Sequence, residues 1–291
     1  LFAMCGIVAI VSRPTTRPTP AAGDLLAALD RAVAAEGLLP AAALVAEVDR
    51  LLHGVPGVLA LAGRAELIAG VTARLDQLDA RIADRELSLE DAALTADDIE
   101  AVNAELIAAR DAVWSVRKDR IGTAHAVDDL AGRDAGSAAL AGYLAIQQAL
   151  SAIDRMEVRG RDSAGIHVMV WGHGLDAADP GVVAALAQRG RDPLFQNGSV
   201  RFEAGVLGFA YKAAAEIGEL GDNVRALRAA VRADTLLRQA LANPLARVSV
   251  LGHTRWASVG IISEPNCHPV NSEHSEQSAG EAHPYAVAVL H

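Results

Sequence analysis

Aromatic side chains are scarce in this sequence. Phe, Trp and Tyr make up 3% of 291 residues, although 52% of the chain is hydrophobic. The core must therefore be filled by Ala, Val, Leu and Ile, and Ala-rich stretches favour close-packed helices. Cysteine is scarcer still: Cys5 and Cys267 stand 262 positions apart, which excludes the disulfide framework of a small secreted domain and predicts a cytoplasmic protein. Positive charge is in deficit, with 26 Lys and Arg against 36 Asp and Glu, a net charge of −10 and a pI near 5.3. No basic field exists to hold nucleic acid or an anionic membrane. Long apolar runs are also missing. The most apolar stretch, 51–71, is broken by His53, Pro56, Arg64 and Glu66, short of the roughly 18 residues that a membrane span needs. The apolar run 1–11 has no basic segment before it, and Met4 suits a lipobox poorly, so no export signal is expected.

What the chain has in abundance is helical periodicity. Cys5–Ser12 is rich in Ile and Val and reads as a strand, ended by a linker containing Pro14, Pro18 and Pro20. From there to Gly136 the pattern is helical. Ile68, Val71, Leu75, Leu78 and Ile82 share one face, and Ile99, Val102, Leu106, Ala109, Val113 and Val116 share another. Thr95, followed by Asp97 and Asp98, is a fitting N-cap. These features predict two long amphipathic helices in an antiparallel hairpin over shorter ones, the two stripes covering each other. Beyond it, the pattern predicts a helix over 137–158, strands over 166–171, 200–204, 206–211, 248–251 and 285–290, and one helix capped by Asp222 and running to Leu241. Residues 176–180 read as loop.

Met4-Cys5-Gly6-Ile7-Val8 puts a thiol one residue behind a possible initiator methionine. On local pattern alone, a small buried residue opening a strand is the plainer reading. If Met4 is removed, Cys5 carries both a nucleophilic sulfur and a free α-amine, whose ordinary pKa of about 7.7–8.0 suits it to act as the thiol's own base.

Two later segments decide between these readings: Arg155-Met156-Glu157-Val158-Arg159-Gly160-Arg161-Asp162-Ser163-Ala164-Gly165, and Gly252-His253-Thr254-Arg255-Trp256-Ala257-Ser258 followed by Asn266-Cys267-His268-Pro269. With the Cys5 segment, and in the same order, they resemble the glutaminase domain of class II (N-terminal-nucleophile, Ntn) glutamine amidotransferases. Within that class they look most like the glutamine–fructose-6-phosphate aminotransferases (glucosamine-6-phosphate synthases). The purine amidophosphoribosyltransferases usually carry Tyr where this chain has Trp256.

The resemblance implies an α+β fold, an Ntn-hydrolase-like α/β/β/α sandwich of two antiparallel sheets between helical layers. Its discontinuous core would be 1–12 with 137–291, interrupted by an all-α insertion over 13–136, because 154 positions separate Cys5 from Arg159 where the family has a few tens. It makes Cys5 the nucleophile and places Arg159 beside it. Arg255 is expected to bind the α-carboxylate of glutamine, for which a planar guanidinium is suited, with Trp256 and Ser258 at the same pocket. Gly6, Gly160, Asp162, Ser163, His253, Thr254 and His268 complete the motifs. The departures are Arg161 for a usual Tyr, Ser258 for a usual Thr and Val259 for a usual His.

No cofactor is implied. Cys267, His268, His274, His283 and His291 match no common zinc spacing, so no metal is expected either. The implied partners are glutamine and, through downstream domains, fructose 6-phosphate, in a homo-oligomer. Tyr285–His291 resembles the strand that in the family leads into an Asn-Gly oxyanion hole, so the expectation is of a truncated piece, inactive by itself. The alternatives are a class II amidotransferase with another acceptor, or a non-catalytic scaffold on a degenerate Ntn fold that uses the insertion as its working surface.

Overall fold

In the computed structural model, which describes residues 5–90, 95–190, 192, 194–214, 219–256, 261–272 and 287–289, the chain divides into two units: 15–128, and 1–14 with 129–291. The first is helical, with α1 (Ala22–Ala34), α2 (Leu38–Leu51), α3 (Val55–Leu61), α4 (Ala65–Glu90), α5 (Ala96–Trp114) and most of α6 (Gly122–Ala131). Thr95 caps α5 through a capping box with Asp98. Both apolar stripes are buried except at their beginnings, where Ile68 and Val102 are half-buried and Ile99 is exposed. They do not simply cover each other as expected: α4 packs mainly on α1, and α5 on α2. The N-terminal pair takes most of the packing of the two long helices, which also touch each other.

Between α5 and α6 the helix widens into a π-helical segment, Ser115–Ile121. Its buried residues Val116 and Ile121 are five apart, the spacing of a π turn. The wider winding sends Arg117 to Asp76 and Asp79 of α4 (2.8 and 2.7 Å) and Arg120 to both carboxylate oxygens of Asp49 on α2 (2.9 and 3.0 Å).

The second unit is built on β1 (Gly6–Val11), β2 (Ser163–Trp171), β3 (Val200–Glu203), β4 (Val206–Ala214) and β5 (Arg247–Arg255), an antiparallel sheet in the order β1-β5-β2-β4-β3. A small sheet pairs β6 (Val270–Asn271) with β7 (Val287–Ala288). With its helices, α7 (Ser137–Met156), α8 (Pro180–Arg189), α9 (Asp222–Ala233) and α10 (Thr235–Leu241), the fold is α+β. Helix α7 lies on β1 and β5, and α9 on β4 and β2. The helix-covered face is packed closely enough that a Cβ on Gly252 would lie 2.7 Å from Val8 and 3.1 Å from Ile153. Strand alternation turns Ile7, His253, Gly165 and Lys212 to the other face.

The loop expected over 176–180 holds to Asp179, and α8, where no element was expected, begins at Pro180, since Asp179 caps Gly181 and Val182 with Pro180 in the first turn. Two expectations are corrected. The helix expected from Asp222 to Leu241 is two helices broken at Asp234, whose carboxylate accepts from the Leu237 N–H at 3.0 Å. Gly221, left-handed at φ 90°, is the cap of α9, and Asp222 lies in its first turn. The strand expected over 285–290 falls mostly outside the described residues. Among the described residues no single helix is long and apolar enough to cross a membrane.

Candidate functional site

Strand register brings the three motifs together. Both neighbours of β5 run opposite to it, so its C-terminal end lies between the beginnings of β1 and β2. Thr254 pairs with Gly6 on one side and Ala164 on the other, and Arg255 pairs with Ser163. Cys5, half-buried, directly precedes β1. The Gly6 N–H donates to the Thr254 hydroxyl at 3.1 Å, and the Asp162 N–H donates to the Arg255 carbonyl at 3.2 Å. A Cβ on Gly160 would fall 2.9 Å from Thr254 Oγ1, and one on Gly6 2.8 Å from the same atom and 2.5 Å from Met156 Sδ. Two motif positions thus favour glycine because the Thr254 hydroxyl, with Met156 at Gly6 and the Thr254–Arg255 backbone at Gly160, fills the space a side chain would need.

Arg159 ends a 3₁₀ turn over Glu157–Arg159 between α7 and β2. Contacts from the start of α9 hold this turn. Asn223 Nδ2 donates to the Arg161 carbonyl at 2.8 Å, and the Gly221 N–H donates to Glu157 Oε2. Glu157 and Asn223 are both buried, and neither Glu157 Oε1 nor Asn223 Oδ1 has a hydrogen-bond partner among the described residues.

Arg255 is half-buried and directs Nη1 at the carbonyls of Ile261 and Asn266, each at 3.4 Å, so its guanidinium meets the loop after the motif. Trp256 is 44% exposed. Ser258 and Val259 lie outside the described residues. His253 is buried, its ring 4.6 Å from that of His268. The His268 carbonyl passes over Gly165, where a Cβ would come within 2.2 Å of it. Ser163 is fully buried. Cys267 is buried too, and burial pushes its thiol up to about 11. Of the two thiols, only that of Cys5 is partly open to solvent. Among the described residues no three His, Cys, Asp or Glu side chains are placed to hold a metal; His274, His283 and His291 lie outside them.

The sequence reading passed over two buried groups on the same sheet face. Lys212 pairs with Gly165, and His167 lies two residues along β2. Lys212 is 3% exposed; its Nζ lies 5.0 Å from the Phe195 ring centroid and has no hydrogen-bond partner among the described residues. Burial lowers it to about 8, against the pull of Cys267, Asp192 and Glu264. His167, both of whose ring nitrogens lack a partner among the described residues, is lowered to about 4, by burial first and by Lys212 second. The signal was present in the alternation along β4, which continues past Tyr211.

A separate cleft of about 550 Å³ is lined by residues including Arg189, Asp192, Asn197, Tyr211, Asp234 and Thr235, and by none of the motif residues. At its edge Arg189 grips both oxygens of Asp234 (2.9 and 2.5 Å), and the Tyr211 hydroxyl donates to the same carboxylate at 2.7 Å. Burial opposes ionisation of Asp234, yet these bonds hold its carboxyl below the ordinary range. Comparison of the chain with protein-family models, curated proteins and solved structures gives no match.

Proposed function

We propose that this chain carries the glutaminase site of a class II glutamine amidotransferase, with Cys5 as nucleophile. One observation carries the reading: the strand pairing of Gly6 with Thr254 and of Arg255 with Ser163 gathers, at one end of one sheet, three motifs spread over about 250 positions. A buried structural cysteine does not require two distant segments to converge on it with glycines at the contacts.

In this reading the Cys5 sulfur attacks the side-chain amide carbon of glutamine. The thiol proton passes through the α-amine of Cys5 to the leaving nitrogen, ammonia departs, and water then cleaves the γ-glutamyl thioester to glutamate. By the resemblance, Arg159 is taken to supply positive charge to the thiol; its side chain lies outside the described ones. Arg255 exchanges its loop carbonyls for the α-carboxylate of glutamine, with Trp256 and Ser258 at the same pocket. The five-stranded sheet serves as one of the two sheets of an Ntn-type sandwich, its helix-covered face outward. Fructose 6-phosphate is the proposed acceptor of the ammonia, supported by the Arg159–Gly165 and His253–Trp256 motifs alone. Another class II acceptor fits the same site.

The test is reaction with 6-diazo-5-oxo-norleucine, a glutamine analogue, on the full-length protein, its N-terminal residue shown by mass to be Cys5. We expect a single adduct on Cys5, and loss of both adduct and glutamine hydrolysis in Cys5→Ala. An adduct on Cys267, or glutaminase activity surviving Cys5→Ala, would overturn the assignment.

A further inference from the structure

The Thr254 hydroxyl sits where the three motifs meet. Thr254 is fully buried on the helix-covered face, and its Oγ1 accepts the N–H of Gly6, the amide that joins Gly6 to Cys5. The same oxygen occupies the space that a side chain on either Gly6 or Gly160 would need, at 2.8 and 2.9 Å from the two hypothetical Cβ atoms. A β-branched residue in a strand needs no hydroxyl to pack. Here the hydroxyl adds an acceptor for an amide that stands 248 positions away in sequence, at the first residue of an edge strand. Among the described residues Gly6 is the first paired residue of β1, so the Cys5 side of this amide lies just ahead of the ladder, and the Thr254 hydroxyl adds to the pairing that Gly6 makes with Thr254.

We infer that Thr254 is a positioning residue: through Gly6 N–H it fixes the plane of the Cys5–Gly6 peptide and so the direction in which Cys5 presents its sulfur. Gly6 and Gly160 are glycines because the hydroxyl must reach between them. The inference rests on the glutaminase reading only in taking Cys5 as the reacting group; the geometric claim about the peptide stands apart from it. Thr254 touches no substrate. Its loss slows the attack of a correctly bound electrophile and leaves binding of that electrophile unchanged.

Thr254→Val keeps volume and branching and removes the acceptor, whereas Thr254→Ser keeps the acceptor. With 6-diazo-5-oxo-norleucine as probe, Thr254→Val should lower the maximal rate of Cys5 labelling roughly tenfold to a hundredfold, the range that a displacement of about an ångström costs. The half-saturating concentration should not change, and Thr254→Ser should restore the rate. In parallel, amide hydrogen exchange at Gly6 should quicken in Thr254→Val and not in Thr254→Ser. Wild-type labelling rates in Thr254→Val, or a Ser variant as slow as the Val one, overturn the inference. If wild-type Cys5 is not labelled at all, the glutaminase reading falls, and Gly6 exchange alone decides the positioning claim. Should Thr254→Val fail to fold, Thr254→Ala gives the same comparison.

Discussion

Lys212 and His167 are buried in surroundings that offer little of what an amine and an imidazole ordinarily seek. The Lys212 ammonium faces the Phe195 ring, with the Asp192 and Glu264 carboxylates drawing on its charge. A Cβ at Gly208 would come within 2.7 Å of His167 Nε2, so the neighbouring strand makes room for the imidazole. Each is a base whose folded value lies below its unfolded one, about 8 against 10.5 for Lys212 and about 4 against 6.5 for His167. Between those limits the unfolded chain binds more protons, so stability rises with pH. The Lys212 contribution therefore penalises the fold below pH 8 and is relieved as pH climbs from about 8 to 10.5; that of His167 is lost as pH falls from about 6.5 towards 4. Lys212→Met, which keeps the stem and removes the amine, should stabilise the protein at pH 7 by on the order of 1–3 kcal/mol and flatten the alkaline rise. Urea unfolding of both proteins across that pH range checks this. A variant less stable than wild type at pH 7 would mean that the ammonium is favourably paired in its pocket.

At the scale of elements, helix ends and strand register decide the fold. The last carbonyls of α1 are capped by one side chain from α4: Arg81 donates to the carbonyls of Ala32 (3.0 Å), Val33 (2.7 Å) and Ala35 (2.8 Å). A cation at the negative end of a helix, with its donors aimed at the carbonyls of the last turn, acts through both charge and hydrogen bonding. Arg81→Met should cost about 2 kcal/mol, read as a lower denaturation midpoint at unchanged slope; an unchanged midpoint would mean that water replaces the guanidinium at no cost.

Much at this scale was legible in the sequence. The strand after Cys5, the Thr95 cap and the helix leading to Arg159 all follow from local periodicity and capping chemistry. The break at Asp234 was not legible, because Leu227, Val231, Leu236 and Leu241 keep an apolar rhythm across it. What breaks the helix is the tertiary demand of Arg189 and Tyr211 for the carboxylate. Helix α8 was missed although Asp179-Pro180 is a cap followed by a first-turn proline, because Gly181 continues the look of a loop. For the site, motif order named the residues, but no local pattern states that Gly6 pairs with Thr254 or that Lys212 faces Gly165. Those facts belong to strand register.

At the scale of the whole molecule, the helical unit 15–128 has a buried cluster of its own, running from Leu25 and Leu29 through Val71 and Leu75 to Val113 and Ala124. In the sheet unit, the strand that leaves for this segment and the helix that returns from it begin and end near one place. Ser12 bonds to the Val248 carbonyl through its N–H (3.1 Å) and its hydroxyl (2.5 Å), and a Cβ on Gly142, early in α7, would lie 3.0 Å from Val248. At the other end of α7, Met156 meets Gly6, so α7 runs antiparallel to β1. A Gly/Ser linker of about eight residues, spanning roughly 15 Å as a flexible chain, should therefore replace 15–128. We expect the shortened protein to be soluble, to unfold in one cooperative transition and to show the same protection of Gly6 and Asp162 amides as the parent. An insoluble product, or loss of protection at these two amides, would mean that the helical unit is needed to hold β1 against β5, and that the Cys5 site depends on both units.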